Sequence, residues 1–336
     1  MNTRQIKTLA LVLLVLVAGI YANTISNNGD SSAGALLFPD LRAEINDISR
    51  VSIRSAGESV TLKSDADQWV LAEYKNYPVD TSKLRQLILT LADAKKLEEK
   101  TSKVEMYKRL GVEDTSADSQ STEIRLDTPE SARTLIIGNL AQREYRYARI
   151  AGEATSWLID QNPTLPSDLT DWLLPEILNI DSSRIQSVTI THSDGETINI
   201  HKEDAAVTDY SVSDIPDGRE LSYPSIVDGM AGVVSGLNLE DVVESYLEDV
   251  SESSIEAQDD SAAITVFKTF EGLEITIKSS IRDESSWITV SANQPDASSE
   301  EATKINERVG GWAYQIQSYK ADQLTRRWVD ILKAEE

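Results

Sequence analysis

Two histidines, His192 and His201, are the side chains with the most obvious catalytic potential in this sequence. Between them lies Asp194-Gly195, a step that predicts a tight hairpin turn. Pairing across that turn sets His201 near Val188 rather than near His192, and no His-Glu spacing of a helical metal site is present. We therefore predict two exposed hairpin residues and no metal site.

Serine and carboxylate chemistry are the other enzymatic options. The segment GVVSGL around Ser235 lacks the Gly-x-Ser-x-Gly spacing of a nucleophile elbow, and a Ser-Lys dyad stays open because no serine is singled out. Some glycosidases need only two carboxylates, but with 56 Asp and Glu no pair stands out. No Gly-rich phosphate loop followed by Lys occurs. The sequence thus predicts no catalytic, cofactor-binding or metal-binding residue and no cofactor.

Two further patterns carry both a structural and a functional interpretation. Gly229, Gly232 and Gly236 lie along a predicted helix, where they favour close approach to a sheet or, alternatively, contact with a partner helix. The side chains of Tyr145, Tyr147 and Arg149 alternate along a predicted strand and share one face. We interpret this set as a cross-strand ladder, with a ligand platform as the alternative.

Composition excludes several classes of protein. The absence of cysteine rules out disulfides, thiol nucleophiles, thiolate metal sites and a lipid-modified cysteine. A net charge of −24 argues against binding to a nucleic-acid backbone. Residues 220–267 contain no Lys or Arg, which predicts a solvated acidic face, with weak calcium binding or adaptation to salt as alternatives.

The N-terminus sets the expected compartment. Arg4 and Lys7 precede an apolar run over residues 9–22, and no charged residue follows until Asp30. We predict a cytoplasmic segment over residues 1–7, a transmembrane signal anchor over 8–25 and a flexible tether over 26–40, in preference to a signal peptide cleaved after Ala22. The protein would then be a single-pass protein of the inner membrane, with its bulk periplasmic or extracytoplasmic.

Beyond the tether, residues 41–178 predict a first α+β repeat. A strand hairpin turns at Ala56-Gly57, a strand around Trp69 ends at Tyr77-Pro78, and Asp80 or Thr81 caps a helix. The apolar residues of that helix recur at i, i+3, i+4 and i+7, which places them on one face. Four more strands and a closing helix over PSDLTDWLLPEIL complete the repeat.

Residues 179–336 repeat this order and predict a second α+β repeat. Tyr223-Pro224 follows Tyr77-Pro78 by 223 − 77 = 146 residues and is interpreted as the same joint between strand and helix. The later matches keep the same order along the chain. They pair Ile124 with Ile264, Ile137 with Ile277, Trp157 with Trp312, and Trp172 with Trp328. We predict tandem duplication, with a mainly antiparallel sheet, a covering helix and a closing helix in each repeat.

With these elements in order, the chain resembles the bacterial domain-of-unknown-function family 4340. The resemblance rests on Trp69, Tyr77-Pro78-Val79-Asp80, the helix from Leu84 to Leu91, MYKRLGVED at 106–114 and TLIIGN at 134–139. It covers residues 45–178 well and the second half more loosely. It implies exported, membrane-anchored proteins, some of them associated with gliding-motility-type ABC transporter systems, and it supplies no catalytic residues.

Three functional hypotheses follow. The first is a non-catalytic, membrane-anchored envelope protein, an accessory or scaffold subunit of an ABC-type transport or gliding-motility-like system, whose partners are the inner membrane and an envelope or transporter protein. The second is an extracytoplasmic module that binds a glycan or peptide in a cleft between the repeats. The third is a hydrolase.

Overall fold

The computed structural model describes residues 33–66, 68–142, 144–245, 262–294 and 300–334. The predicted cytoplasmic segment and signal anchor lie outside these ranges, as do most of the tether and the middle of the acidic segment. Across the described ranges, no helix combines the length and apolar character needed to cross a bilayer.

The chain divides into two compact units. One consists of the chain up to Trp69 together with Thr81–Pro166, and the other of Val70–Asp80 together with Ser167–Glu336. Residues 70–80 therefore group with the second unit, although the sequence places them inside the first predicted repeat and the strands Gln68–Leu71 and Tyr77–Pro78 form one edge of the first sheet. The predicted boundary between residues 178 and 179 separates two duplicated segments of sequence rather than two compact units, and it stays a prediction.

The first sheet is antiparallel and has nine strands in the order β4-β3-β2-β1-β6-β7-β8-β9-β5. Its strands are β1 (Arg50–Ser55), β2 (Glu58–Asp65), β3 (Gln68–Leu71), β4 (Tyr77–Pro78), β5 (Lys96–Thr101), β6 (Thr122–Asp127), β7 (Ala132–Gln142), β8 (Tyr145–Ile150) and β9 (Ser156–Ile159). Three helices accompany it: α1 (Leu41–Glu44), α2 (Thr81–Asp93) and α3 (Tyr107–Leu110). The predicted hairpin at Ala56-Gly57 is confirmed, since Ser55 pairs with Glu58.

Helix α2 is the covering helix that the sequence predicts. Leu84, Leu87, Ile88 and Leu91 are all buried, so its apolar stripe faces the interior. Burial of each such side chain contributes on the order of 2 kcal/mol. The stripe therefore supplies far more stability than the intrinsic helix propensity of this short segment.

The second sheet is also antiparallel and has nine strands, in the order β10-β14-β18-β17-β16-β15-β11-β12-β13. Its strands are β10 (Glu176–Leu178), β11 (Ile185–His192), β12 (Thr197–His201), β13 (Ser211–Ser213), β14 (Leu237–Glu244), β15 (Ala263–Thr269), β16 (Glu274–Arg282), β17 (Ser285–Asn293) and β18 (Trp312–Ile316). Its helices are α4 (Asp228–Ala231), α5 (Glu301–Val309), α6 (Ser318–Leu324) and α7 (Trp328–Ile331). The predicted α+β class, with two antiparallel sheets and several helices, is confirmed.

The two sheets share one strand order. The run β3-β2-β1-β6-β7-β8-β9-β5 reads in the same chain sequence as β13-β12-β11-β15-β16-β17-β18-β14. Buried rows match as well, because Val51 lies between Leu62 and Leu126 in the first sheet as Val188 lies between Ile200 and Phe267 in the second. All six of these side chains are at most 2% exposed.

The strand registers correct two residue matches made from the sequence. Ile53 pairs with Ile124 in the first sheet, and Ile190 pairs with Thr265 in the second. The residue that corresponds to Ile124 is therefore Thr265 rather than Ile264. Since Ile124 pairs with Leu135 and Thr265 with Ile277, the residue that corresponds to Ile277 is Leu135 rather than Ile137. A shift of one residue moves a side chain to the other face of a sheet, and accordingly Thr265 is buried while Ile264 is only half-buried.

The predicted closing helix of the first repeat is wrong. A 3-10 turn at Thr170–Trp172 is followed by strand β10, which pairs with β14 in the second sheet. The cause is Pro175, which cannot donate a helical hydrogen bond and disfavours helical geometry in the residue before it. In the second half, the predicted closing helix QLTRRWVDILK forms the end of α6 and then α7, separated by Thr325–Arg327.

The prediction of one strand that runs from Trp69 to Tyr77-Pro78 is wrong. Strand β3 ends at Leu71, a 3-10 turn over Ala72–Tyr74 and two residues with positive φ, Lys75 and Asn76, follow, and Tyr77–Pro78 pairs back on β3 as the separate strand β4. The next residue, Val79, forms an antiparallel bridge with Leu173. The amide of Asp80 donates to the carbonyl of Trp172, so this short ladder leads directly into α2.

The interpretation of Tyr223-Pro224 as the same joint is wrong. In the second half, the bridge that corresponds to Val79 joins Leu221 to Leu332, so Tyr223 lies past it. Pro224 opens a 3-10 helix, a position where its missing N–H is not needed. Tyr77-Pro78 therefore lies before the Val79 bridge, whereas Tyr223-Pro224 lies after the Leu221 bridge.

Candidate functional site

The two histidines do not form a site, and the prediction that both are exposed is wrong, since His192 is buried and His201 is half-buried. Its side chain is 4% exposed, and its Nε2 donates to the carbonyl oxygen of Arg326 at 3.0 Å. His201 lies opposite Ser187, next to the predicted Val188, and its Nδ1 is 3.2 Å from Ser213 Oγ. Within the described ranges, no three His, Asp or Glu side chains are arranged to hold a metal ion.

His192 is buried because the hairpin turn contacts the C-terminal segment. Arg327 donates to Asp194 at 2.6 Å and to Glu196 at 3.0 Å, and the amide of Trp328 donates to Glu196 at 2.6 Å. The backbone amide of Glu196 and then the guanidinium of Arg327 hold the pKa of Asp194 below its usual range. This cluster fastens α7 to the β11–β12 turn, a structural role.

Gly229, Gly232 and Gly236 do not make the close approach to a sheet that the sequence predicts. A Cβ at Gly229 would meet the side chain of Gln323 at 3.0 Å, whereas Gly232 and Gly236 have no atom within 4 Å of theirs. Close approach therefore explains only Gly229, and the neighbour is helix α6 rather than the sheet. Gly236 instead has a positive φ of 63° after a 3-10 turn, a conformation that favours glycine.

Arg149 supports the structural interpretation of the alternation on β8. It is 4% exposed, donates to the carbonyls of Val112 at 2.8 Å and Glu153 at 3.2 Å, and lies 4.6 Å from the ring centre of Tyr107. Tyr147 packs on the same cluster. The arginine thus clamps the MYKRLGVED segment onto the sheet.

The same segment approaches β7 at a glycine. A Cβ on Gly138 would lie 2.3 Å from the carbonyl oxygen of Leu110 and 2.9 Å from that of Gly111. Only glycine allows this approach, since the neighbours are backbone atoms. Gly138, in TLIIGN, therefore packs directly against the backbone of Leu110 and Gly111, in MYKRLGVED.

Helix α5 lines a charged groove in the second unit. It lies in the connection between β17 and β18, residues 294–311, whereas the equivalent β8–β9 connection is only residues 151–155. Between α5 and β10 the groove encloses about 560 Å³. Its lining residues are Glu176, Leu178, Asn179, Ile180, Glu300, Glu301, Lys304, Ile305 and Arg308.

The charges of this groove neutralise one another. Arg184 donates twice to Glu301, both at 2.9 Å, and these bonds hold the pKa of the carboxyl below its usual range. Arg308 donates to Glu176 at 3.1 Å and Lys304 pairs with Glu300 at 3.0 Å. The groove is therefore held by its own ion pairs.

An aromatic cluster lies beside β18. The ring of Tyr77 meets Trp312 edge-on at 5.0 Å between centroids and Tyr314 at 6.3 Å. Tyr77 is 2% exposed, and its hydroxyl donates a long hydrogen bond of 3.4 Å to the carbonyl of Leu174. Burial raises the pKa of Tyr77 to about 12 and also raises that of Tyr314.

A second concavity, of about 470 Å³, opens where β17 and β18 separate. These strands pair only at Trp287–Gln315 and Ile288–Tyr314. On the β14 side, the register shifts between Leu239 and Asp241, which leaves Glu240 as a bulge residue. The concavity is lined by Glu240, Glu284, Ser285, Ser286, Gln315, Ile316, Gln317, Ser318 and Tyr319.

The polar side chains of this second concavity differ from those of the α5 groove. Within the part of the chain that the structure describes, Glu240, Glu284, Gln315 and Gln317 make no side-chain hydrogen bond or ion pair, and the same holds for its three serines. Tyr319 is 58% exposed. Sequence reasoning missed this set because its members come from three separate strands and a helix, with no spacing in common.

Comparison with known proteins gives one match. The family model described as a domain of unknown function, DUF4340, matches residues 69–263, which is more than half of the chain. The chain belongs to the DUF4340 family. No curated protein and no solved structure matches.

The DUF4340 match contains the elements on which the resemblance rested. Trp69, the Tyr77–Pro78 strand, α2, the MYKRLGVED segment and Gly138 all lie within residues 69–263. In the structure, the Tyr77–Pro78 strand lies at the joint before α2, and Gly138 lies at the close contact with Leu110 and Gly111. By contrast, α5 and most of the second concavity lie outside the matched range.

The buried phenol of Tyr77 predicts a stability change at high pH. Its pKa is about 12 in the folded chain and 10.0 in the reference state, so the unfolded chain ionises first as pH rises. The stabilisation is complete below pH 10.0 and is lost as pH rises towards 12, by about 1.4 kcal/mol per pH unit. Urea unfolding of the wild type and Tyr77→Phe at pH 8 and pH 11.5 measures the difference. Equal pH dependence of the two proteins would contradict the prediction.

Proposed function

We propose that this DUF4340 protein is a non-catalytic, membrane-anchored envelope protein that acts as an accessory or scaffold subunit of an ABC-type transport or gliding-motility-like system. The anchor is the predicted span over residues 8–25, and the bulk of the chain is exported. The transporter partner is the one implied by the family resemblance.

The observation that carries this proposal is how the chain uses its chemically capable side chains. His192 fixes the C-terminal segment, Arg149 clamps the MYKRLGVED segment, and Lys320 donates to the carbonyls of Val233 and Ser235 at 3.0 and 3.1 Å. Lys202 lies 4.8 Å from the ring centre of Tyr210. Each of these groups holds one element to another, which suits a protein whose task is shape and attachment.

Tandem duplication is part of the same proposal. Supporting it are the shared strand order of the two sheets and the matching buried rows around Val51 and Val188. Duplication of one sheet enlarges the surface offered to partners without adding a reaction. The long β17–β18 connection with α5 then makes the second copy different from the first.

Purification of the tagged full chain from native membranes in mild detergent tests the proposal. We expect mass spectrometry to identify an ABC permease or ATPase in the eluate, enriched over a tagged control that lacks residues 1–32. Recovery of the full chain alone, at the same detergent concentration and after chemical cross-linking, would contradict the scaffold function.

A further inference from the structure

The second concavity offers polar groups that make no hydrogen bond or ion pair with the residues that the structure describes. Solvent-facing polar side chains are ordinary, but here amides, hydroxyls and carboxylates converge on one space. The strands that border it part after only two residue pairs, so a gap remains within the sheet. Its volume of about 470 Å³ lies within the ~300–1,000 Å³ of small-molecule sites.

The bulge at Glu240 is the local feature of the sheet that helps to form this concavity. An extra residue in one strand of an antiparallel pair bends that strand and re-aims a side chain. Glu240 consequently lines the same space as Gln315, although Gln315 pairs with Asp241 in the ladder. On the far side, the tight turn at Asp283 and Glu284, with φ of 50° and 65°, brings in a second carboxylate.

The chemistry of the lining restricts the ligand. Two carboxylates and no lysine or arginine face the space, so an anion is disfavoured. Carboxylates accept hydrogen bonds and amides both accept and donate them, which suits the vicinal hydroxyls of a sugar ring. Tyr319 adds an exposed aromatic ring, whose centroid lies 6.0 Å from Lys320 Nζ, and such a ring can cover the apolar C–H face of a sugar.

From this combination we infer that the concavity between β17, β18 and β14 is a binding site for a neutral oligosaccharide, with Tyr319 as the stacking platform and Glu240, Gln315 and Gln317 as the hydrogen-bonding groups. This goes beyond the scaffold function. The site lies wholly within the second unit, and most of it lies outside the matched family range, so it is a property of this chain.

Titration calorimetry with the full chain tests the site. The detergent must carry no sugar headgroup, and the probes are the hexasaccharides of chitin, cellulose and starch type, with a lysine-rich hexapeptide for comparison. We expect saturable binding of at least one oligosaccharide. We expect Tyr319→Ala and Gln315→Ala to weaken it at least tenfold, while Tyr319→Phe stays within threefold of the wild type.

Lys304→Ala, in the α5 groove, is the matched control and should bind as the wild type does. Tyr319 is an exposed side chain, so its variants should keep the wild-type melting temperature and separate binding from folding. No binding of any of the three hexasaccharides would overturn the inference. Binding of the basic peptide in their place, or equal binding by Tyr319→Ala, would overturn it as well. Recovery of a transporter partner does not depend on either result.

Discussion

Gly138→Ala should destabilise the first unit by about 3 kcal/mol, because the added methyl group would overlap backbone atoms. Its Cβ would lie 2.3 Å from the carbonyl oxygen of Leu110, and no side-chain rotation can relieve that contact. The segment that carries Tyr107 would have to move, and the Arg149 clamp with it. For a unit of this size, the loss corresponds to a fall in melting temperature of roughly 6–12 °C.

Gly232→Ala is the matched control for this substitution. Gly232 has a φ of −78° and no atom within 4 Å of a built Cβ, so alanine fits there without strain. Its expected effect ranges from none to a stabilisation of about 0.5 kcal/mol. Calorimetric melting of the two variants beside the wild type measures both. Equal melting temperatures for Gly138→Ala and the wild type would show that the contact with Leu110 does not require glycine at position 138.

Tyr77→Ala should destabilise the second unit by about 4 kcal/mol, although Tyr77 lies in the first half of the sequence. The substitution removes a buried ring and its edge contacts with Trp312 and Tyr314. Hydrogen exchange of the full chain should therefore show faster exchange in β18. Strand β6, in the first unit, should keep its protection.

Tyr77→Phe is the control for the Tyr77→Ala substitution. It keeps the ring and removes only a hydroxyl whose bond to Leu174 is 3.4 Å long, so we expect a loss of about 1 kcal/mol or less at neutral pH. Loss of protection in β6 instead of β18 in the Tyr77→Ala variant would assign residues 70–80 to the first unit and contradict the division described here.

Much of the fold follows from local patterns in the sequence. The apolar stripe of α2 has a helical period, and the hairpins at Ala56-Gly57 and Asp194-Gly195 combine turn residues with alternating strands, so each was predictable. Pro175 was likewise a sequence signal against the predicted closing helix. Strand β5 was not predicted because it is rich in charged residues and has Leu97 as its one apolar residue, which leaves no apolar alternation to recognise.

The tertiary placement of residues could not be read in the same way. Nothing local in the sequence indicates that Tyr77 contacts Trp312, since 312 − 77 = 235 residues separate them and each forms part of a strand of its own. The burial of His192 depends likewise on the distant Arg326. The second concavity depends on a bulge at Glu240 and on the early separation of two strands, features that arise from sheet register and leave no motif.

Cleavage of the chain between the two units tests the two-unit organisation most directly. A protein that lacks residues 1–32 and carries a protease site between Pro166 and Ser167 would be cut and passed through a size-exclusion column under native conditions. Because residues 70–80 remain on the first fragment yet belong to the second unit, the two fragments should elute together and separate only after unfolding. Two folded fragments that elute independently would contradict the account.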